Sequence, residues 1–151
     1  NGLLTMANLY VIDGFGLAAL AIIYHDKAKD HALYHLFDQN SSVTSKYLTT
    51  EASIMAAFSM VSALKKPRLV DALKRVVRYF FDETVMHFAI EHKTSARICQ
   101  DYGDFVSNFG ANYPPHILDS AFLAAEMYPG AIIVGKASTF YNQEGITVHA
   151  V

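Results

Sequence analysis

"NGLLTMANLYVIDGFGLAALAIIYHDK", residues 1–27, is the passage from which the fold class follows. It is mostly apolar, and Asn8, Asp13, Gly14 and Gly16 interrupt it. An apolar run broken by polar residues and glycine, with no basic segment before it, reads as a core helix with a Gly-rich bend. It does not read as a signal peptide or a membrane span. Outward from it, apolar residues recur at intervals of three and four, which predicts helices near 28–39, 51–66, 68–81, 83–93, 96–108 and 116–128. Thr50 before Glu51 has the chemistry of an N-cap, and Pro67 stands where a first helical residue needs no amide donor. "QNSSVTS" (39–45) and "NFGANYPP" (108–115) are loops. In the last segment Gly130, Gly135 and Gly145 punctuate β-branched residues, a pattern of extended chain or a hairpin. The expectation is an all-α fold: one compact multi-helix domain over 1–151, with 130–151 as a short extended arm free to pair with a second copy.

A chain of 151 residues with 52% hydrophobic content can bury a core of its own as a single domain. Its one cysteine, Cys99, excludes an internal disulfide, a Cys-rich zinc module and an iron–sulfur cluster held by this chain alone. In a predicted helix such a cysteine reads as a small buried hydrophobe. The expected setting is intracellular, cytoplasm or nucleus, and soluble.

Charge is distributed unevenly. The net value of −2 conceals the stretch "KKPRLVDALKRVVRYFF" (65–81), which holds six of the twelve Lys and Arg against one acid. The other thirteen acids face the remaining six bases, so an electrostatic partner meets a patch and not the whole surface. On a helix over 68–81, Leu69, Leu73, Val76, Val77 and Phe80 share one side. Arg68, Lys74, Arg75 and Arg78 share the other with Asp71, and Lys65 and Lys66 extend the patch past Pro67. A solvated helix face explains this pattern by itself, with Asp71 pairing Arg75 one turn on for ~0.3–0.5 kcal/mol. A track of six cations is also what a phosphate backbone requires.

Two sets of metal-type ligands have helical spacing: His31, His35 and Asp38, and Glu83, His87 and Glu91. Both lie opposite the apolar side of their predicted helices, whereas ligands of a bundle core must point inward. No metal site is therefore assigned. Gly-rich phosphate loops, nucleophile elbows and HExxH are absent from the sequence, so no catalytic residue and no enzymatic activity is assigned.

"FAIEHKTSARICQDYGDF" (88–105) resembles the globin stretch around the haem-binding histidine, and "LYHLFDQNSSVTSKY" (33–47) resembles the globin segment that ends in an aromatic over the haem. That resemblance implies a haem cofactor, with His92 as iron ligand and Tyr47 as the packing aromatic. Pro67, Pro114–Pro115 and Pro129–Gly130 fall inside helices that a globin keeps whole. "YPPHILDSAFLAAEMYPGAIIVGKAST" (113–139) resembles the C-terminal lobe of nucleoproteins of non-segmented negative-strand RNA viruses, nearest the bornavirus kind. Such proteins coat RNA by backbone contacts and link through exchanged arms, which implies a homo-oligomer without catalytic residues or cofactor. The reading preferred on sequence is a non-enzymatic RNA- or polyanion-binding assembly domain using Lys65, Lys66, Arg68, Lys74, Arg75 and Arg78. The alternative is a haem-binding globin-like protein.

Overall fold

A computed structural model describes residues 8–31, 33–34, 45–82, 88–91, 95–108 and 112–151. It overturns the all-α expectation. Five strands, β1 (Asn8–Ile12), β2 (Ser45–Thr49), β3 (Phe88–Ile90), β4 (Ile132–Gly135) and β5 (Val148–Ala150), form one sheet of order β3-β2-β1-β4-β5. Every neighbouring pair is parallel. The helices are α1 (Gly14–His25), α2 (Glu51–Ala63), α3 (Pro67–Phe81), α4 (Ala96–Ser107), α5 (Pro115–Phe122), continued by a π-helical segment (Leu123–Met127), and α6 (Thr139–Gln143).

The apolar N-terminal passage is thus a strand, a turn and a helix. β1 lies at the centre of the sheet and is covered on both sides, so its residues do not alternate between polar and apolar. Val11 and Ile12 are both fully buried although they face opposite ways. A short continuous apolar run of this kind cannot be told from a buried helix by periodicity. Asp13 ends the strand and begins the helix, because its carboxylate accepts the Gly16 amide at 2.8 Å as the N-cap of α1. Gly16 is required by proximity, since a Cβ there would overlap the Val134 carbonyl oxygen of β4.

Alternation across the strands sorts the core into two layers. Tyr10, Ile12, Tyr47 and Val134 pack with Leu17, Leu20, Val61, Leu73 and Phe80 of α1, α2 and α3. Val11, Leu48 and Ile133 pack on the opposite face with Phe105, Ile117, Phe122, Phe140 and Tyr141 of α4, α5 and α6. The result is a doubly wound α/β/α sandwich.

Three further expectations change. Part of the helix expected at 83–93 is the edge strand β3. The C-terminal stretch is not an arm: β4 lies between β1 and β5, and β5 pairs in parallel with β4, so no hairpin forms. Tyr47, placed over a haem by the globin resemblance, is a strand residue 1% exposed. Its ring stacks on Tyr10 at 5.4 Å and on Phe88 at 4.8 Å, a ladder of aromatics at matched register across β1, β2 and β3. Thr50 caps α2 by accepting the Ser53 amide, and Pro67 opens α3, as their residue types predict.

Candidate nucleic-acid interface

Two places in this fold gather polar groups. In open parallel sheets ligands bind beyond the carboxyl ends of the strands, where neighbouring connections leave in opposite directions. Here that switch lies between β1, whose chain continues toward β2, and β4 on its other side. Asp13 stands at this point. Its Oδ1 accepts the Gly16 amide, its Oδ2 accepts the Tyr141 hydroxyl at 2.9 Å, and its own amide donates to the Val134 carbonyl at 3.2 Å. Burial pushes the Asp13 carboxyl up to about 6, against the opposing pull of the Gly16 amide and the Tyr141 hydroxyl. Burial also holds Tyr141 above the usual phenol range, with the Asp13 charge adding to it.

His116 on α5 closes the same region. Its Nδ1 accepts the Gly14 amide at 2.9 Å, which leaves the ring proton on Nε2. Burial lowers its pKa, and the neighbouring Asp119 charge opposes that effect only in part. Asp119 in turn takes a hydrogen bond from Tyr102, whose pKa is raised. Among the described residues, no buried side-chain nitrogen or oxygen lacks a partner. The switch point is therefore filled by the chain's own groups. Sequence reading took Asp13 as a break in a helix and passed over His116, Asp119 and Tyr141; a β1–Asp–Gly turn was the signal available for the first of these.

The second place is the corner between α2 and α3. Lys65, Lys66, Arg68, Lys74, Arg75 and Arg78 are all exposed, and α3 buries Leu69, Leu73, Val76, Val77 and Phe80 on its other side. The six cations thus occupy one surface, as the helical spacing predicted. Lys65, Lys66 and Lys74 line a cavity of about 470 Å³ with Ser62 and Val70. Arg68 and Arg75 line another of about 270 Å³ with His25, the last residue of α1. Asp71 borders both. The expected Asp71–Arg75 pair is replaced by a contact of 4.0 Å from Lys74 Nζ to Asp71 Oδ1, with both side chains more than 60% exposed. Tyr79 and Phe81, at 48% and 65% exposure, stand one helical turn beyond Arg75 and Arg78.

These two places lie at opposite ends of α1. Asp13 caps its N-terminus and His25 closes it, and twelve residues span about 18 Å. A larger cavity of about 820 Å³ lies along α4 and the π-helical segment, but Asp101, Asp104 and Glu126 outnumber Arg97 on its lining, so it repels anions.

Of the other candidates, His92, His35, Asp38, Glu83 and His87 lie outside the described residues. His31 accepts the Leu33 amide, and Glu91 accepts the Tyr128 hydroxyl. Among the described residues no group of three or more His, Cys, Asp or Glu is placed to hold a metal. Cys99 is exposed on α4 and not buried. No described helix is long and apolar enough to cross a membrane. No protein-family model and no curated protein matches the chain.

Proposed function

We propose that the α2–α3 corner binds a phosphate-backbone polyanion, single-stranded RNA in preference, and that the domain acts by binding and not by catalysis. The observation that supports this is the exposure of Lys65, Lys66, Arg68, Lys74, Arg75 and Arg78 along one stretch, the first five of them lining two cavities that share Asp71. Among the described residues, the one carboxylate within salt-bridge distance of any of them is Asp71, at 4.0 Å. Cations that are not neutralised by neighbours attract counterions, and a phosphate chain that displaces those ions gains their release entropy. Exposed Phe81 beside the cations favours single strands over other polyanions, since an unpaired base can stack on it, and Tyr79, stacked on Phe88 on one side, has only its other face to offer. No cofactor is needed for this activity.

The test is fluorescence anisotropy with labelled single-stranded RNAs of unrelated sequence. Changing Lys74, Arg75 and Arg78 to Glu is expected to weaken binding roughly tenfold or more at low salt, to a similar degree for each sequence. The log–log salt slope, about −0.7 per phosphate contact for single strands, becomes shallower in the variant. Equal binding by wild type and variant, or none by either, defeats the reading.

A second reading is favoured by the position of Asp13, His116 and Asp119 at the sheet's switch point, where folds of this topology hold ligands. Two carboxylates and an imidazole whose pKa is lowered are the groups acid–base chemistry uses, and the Tyr141 hydroxyl on Asp13 covers them. Incubating end-labelled RNA with the protein separates the two: intact RNA supports binding alone, and shortening that disappears in Asp119→Asn supports the second.

A further inference from the structure

Asp71 is out of character with its surroundings. It is an exposed carboxylate amid six cations, it borders both cavities, and its one ion pair among the described residues is the loose 4.0 Å approach of Lys74. It has no part in capping, since the first turn of α3 holds no acid and its N-cap is Lys66. On a surface for polyanions a carboxylate repels every phosphate it faces, so its presence there selects among ligands by penalising some of them. The ligand least penalised brings a hydrogen-bond donor to the point between two phosphates. A carboxylate accepts and cannot donate. Consecutive phosphates of RNA are joined through a ribose whose 2′-hydroxyl is such a donor, and DNA has none at that place. The two cavities that meet at Asp71 supply Lys65, Lys66 and Lys74 for one phosphate and Arg68 and Arg75 for the next.

We infer that Asp71 is the specificity-determining residue of this surface, accepting a hydrogen bond from a ribose 2′-hydroxyl seated between two cation-bound phosphates and thereby selecting RNA over DNA. This rests on the polyanion reading above. The hydrogen bond to a charged acceptor supports a preference of roughly tenfold or more.

The experiment measures anisotropy with labelled 15-mers of oligo-rU, oligo-dU and 2′-O-methyl oligo-U, so that the base is constant and only the sugar changes. Wild type is expected to bind rU roughly tenfold tighter than dU, with the 2′-O-methyl form close to dU because it lacks the donor. Asp71→Ala is expected to bind dU more tightly than wild type does and to bring the rU/dU ratio near one. Asp71→Asn, which keeps an acceptor of the same size without the charge, retains part of the ratio. Equal binding of rU and dU by wild type, or a ratio that survives in Asp71→Ala, overturns the inference while leaving the polyanion reading intact. Absence of binding to all three oligonucleotides ends both.

Discussion

Asp13 does three jobs with one carboxyl group: it caps α1, holds Tyr141 of α6, and sits against Gly135 so closely that a Cβ there would overlap it. Its burial is why its charged form is disfavoured, and the hydrogen bonds from Gly16 and Tyr141 offset that only in part. A carboxyl raised to about 6 from an ordinary 3.8 binds its proton more readily folded than unfolded, so its stabilising contribution is complete below pH 3.8 and is lost as pH rises through about 6. The difference between those limits is about 3 kcal/mol. His116 works in the opposite direction, since its lowered pKa removes stability as pH falls below the ordinary 6.5. Urea unfolding of wild type and Asp13→Asn isolates the aspartate, because Asn keeps a capping oxygen and has no proton to lose. Asn is expected to gain on wild type by about 2 kcal/mol between pH 4 and pH 7. A constant difference across that range would show that Asp13 does not titrate near 6. In the sequence this residue is one polar letter in an apolar run, and the Asp13–Gly14 pair that follows the run was the one local sign that it begins a helix and does not interrupt one.

At the scale of elements, the helix that buries one face was legible, and of the two strands that bury both faces only β4 was read as extended. α3 shows its core side as Leu69, Leu73, Val76, Val77 and Phe80 at helical spacing, because water on the opposite side requires Arg and Lys there. β1 and β4 meet helices on both faces, so Val11, Ile12, Ile133 and Val134 carry no periodicity. β3 is only three residues long, too short to register. The tail was read as an extended, peripheral arm; β4 is extended but interior, and Gly135, read as punctuation of an extended chain or hairpin, is the position that lets the strand end pass Asp13. Its interior place has a consequence. Removing residues 136–151 deletes Phe140 and Tyr141, both fully buried, along with the whole of β5. The truncated chain is expected to lose near-UV dichroism and cooperative thermal unfolding, since large-to-small changes at single core positions already cost about 3–5 kcal/mol. A truncation that melts cooperatively with native near-UV signal would place 136–151 outside the core after all.

At the scale of the molecule, sequence reading located the basic surface and missed the other polar centre, for a physical reason. The cations are neighbours in sequence along and just before one helix, whereas His116 bonds to Gly14 across 102 residues and Tyr141 to Asp13 across 128, so these groups meet only when β1, α5 and α6 are assembled. Spacing finds the first kind of cluster and topology alone creates the second. The separation of the two along α1, about 18 Å, exceeds the screening length of about 8 Å at physiological salt. Stability and RNA binding should therefore vary independently. Combining Asp13→Asn with the Lys74, Arg75 and Arg78 reversals is expected to give a stability change equal to that of Asp13→Asn within about 0.5 kcal/mol, because exposed charges contribute little and distant sites add. The same quadruple variant should bind RNA as weakly as the triple. Both quantities come from one preparation, by urea unfolding and anisotropy at matched pH and salt. If Asp13→Asn by itself weakens RNA binding severalfold at a pH where the protein is fully folded, the switch point and the basic surface are coupled through α1. In that case the second reading of the site, with RNA reaching Asp13, takes precedence over binding alone.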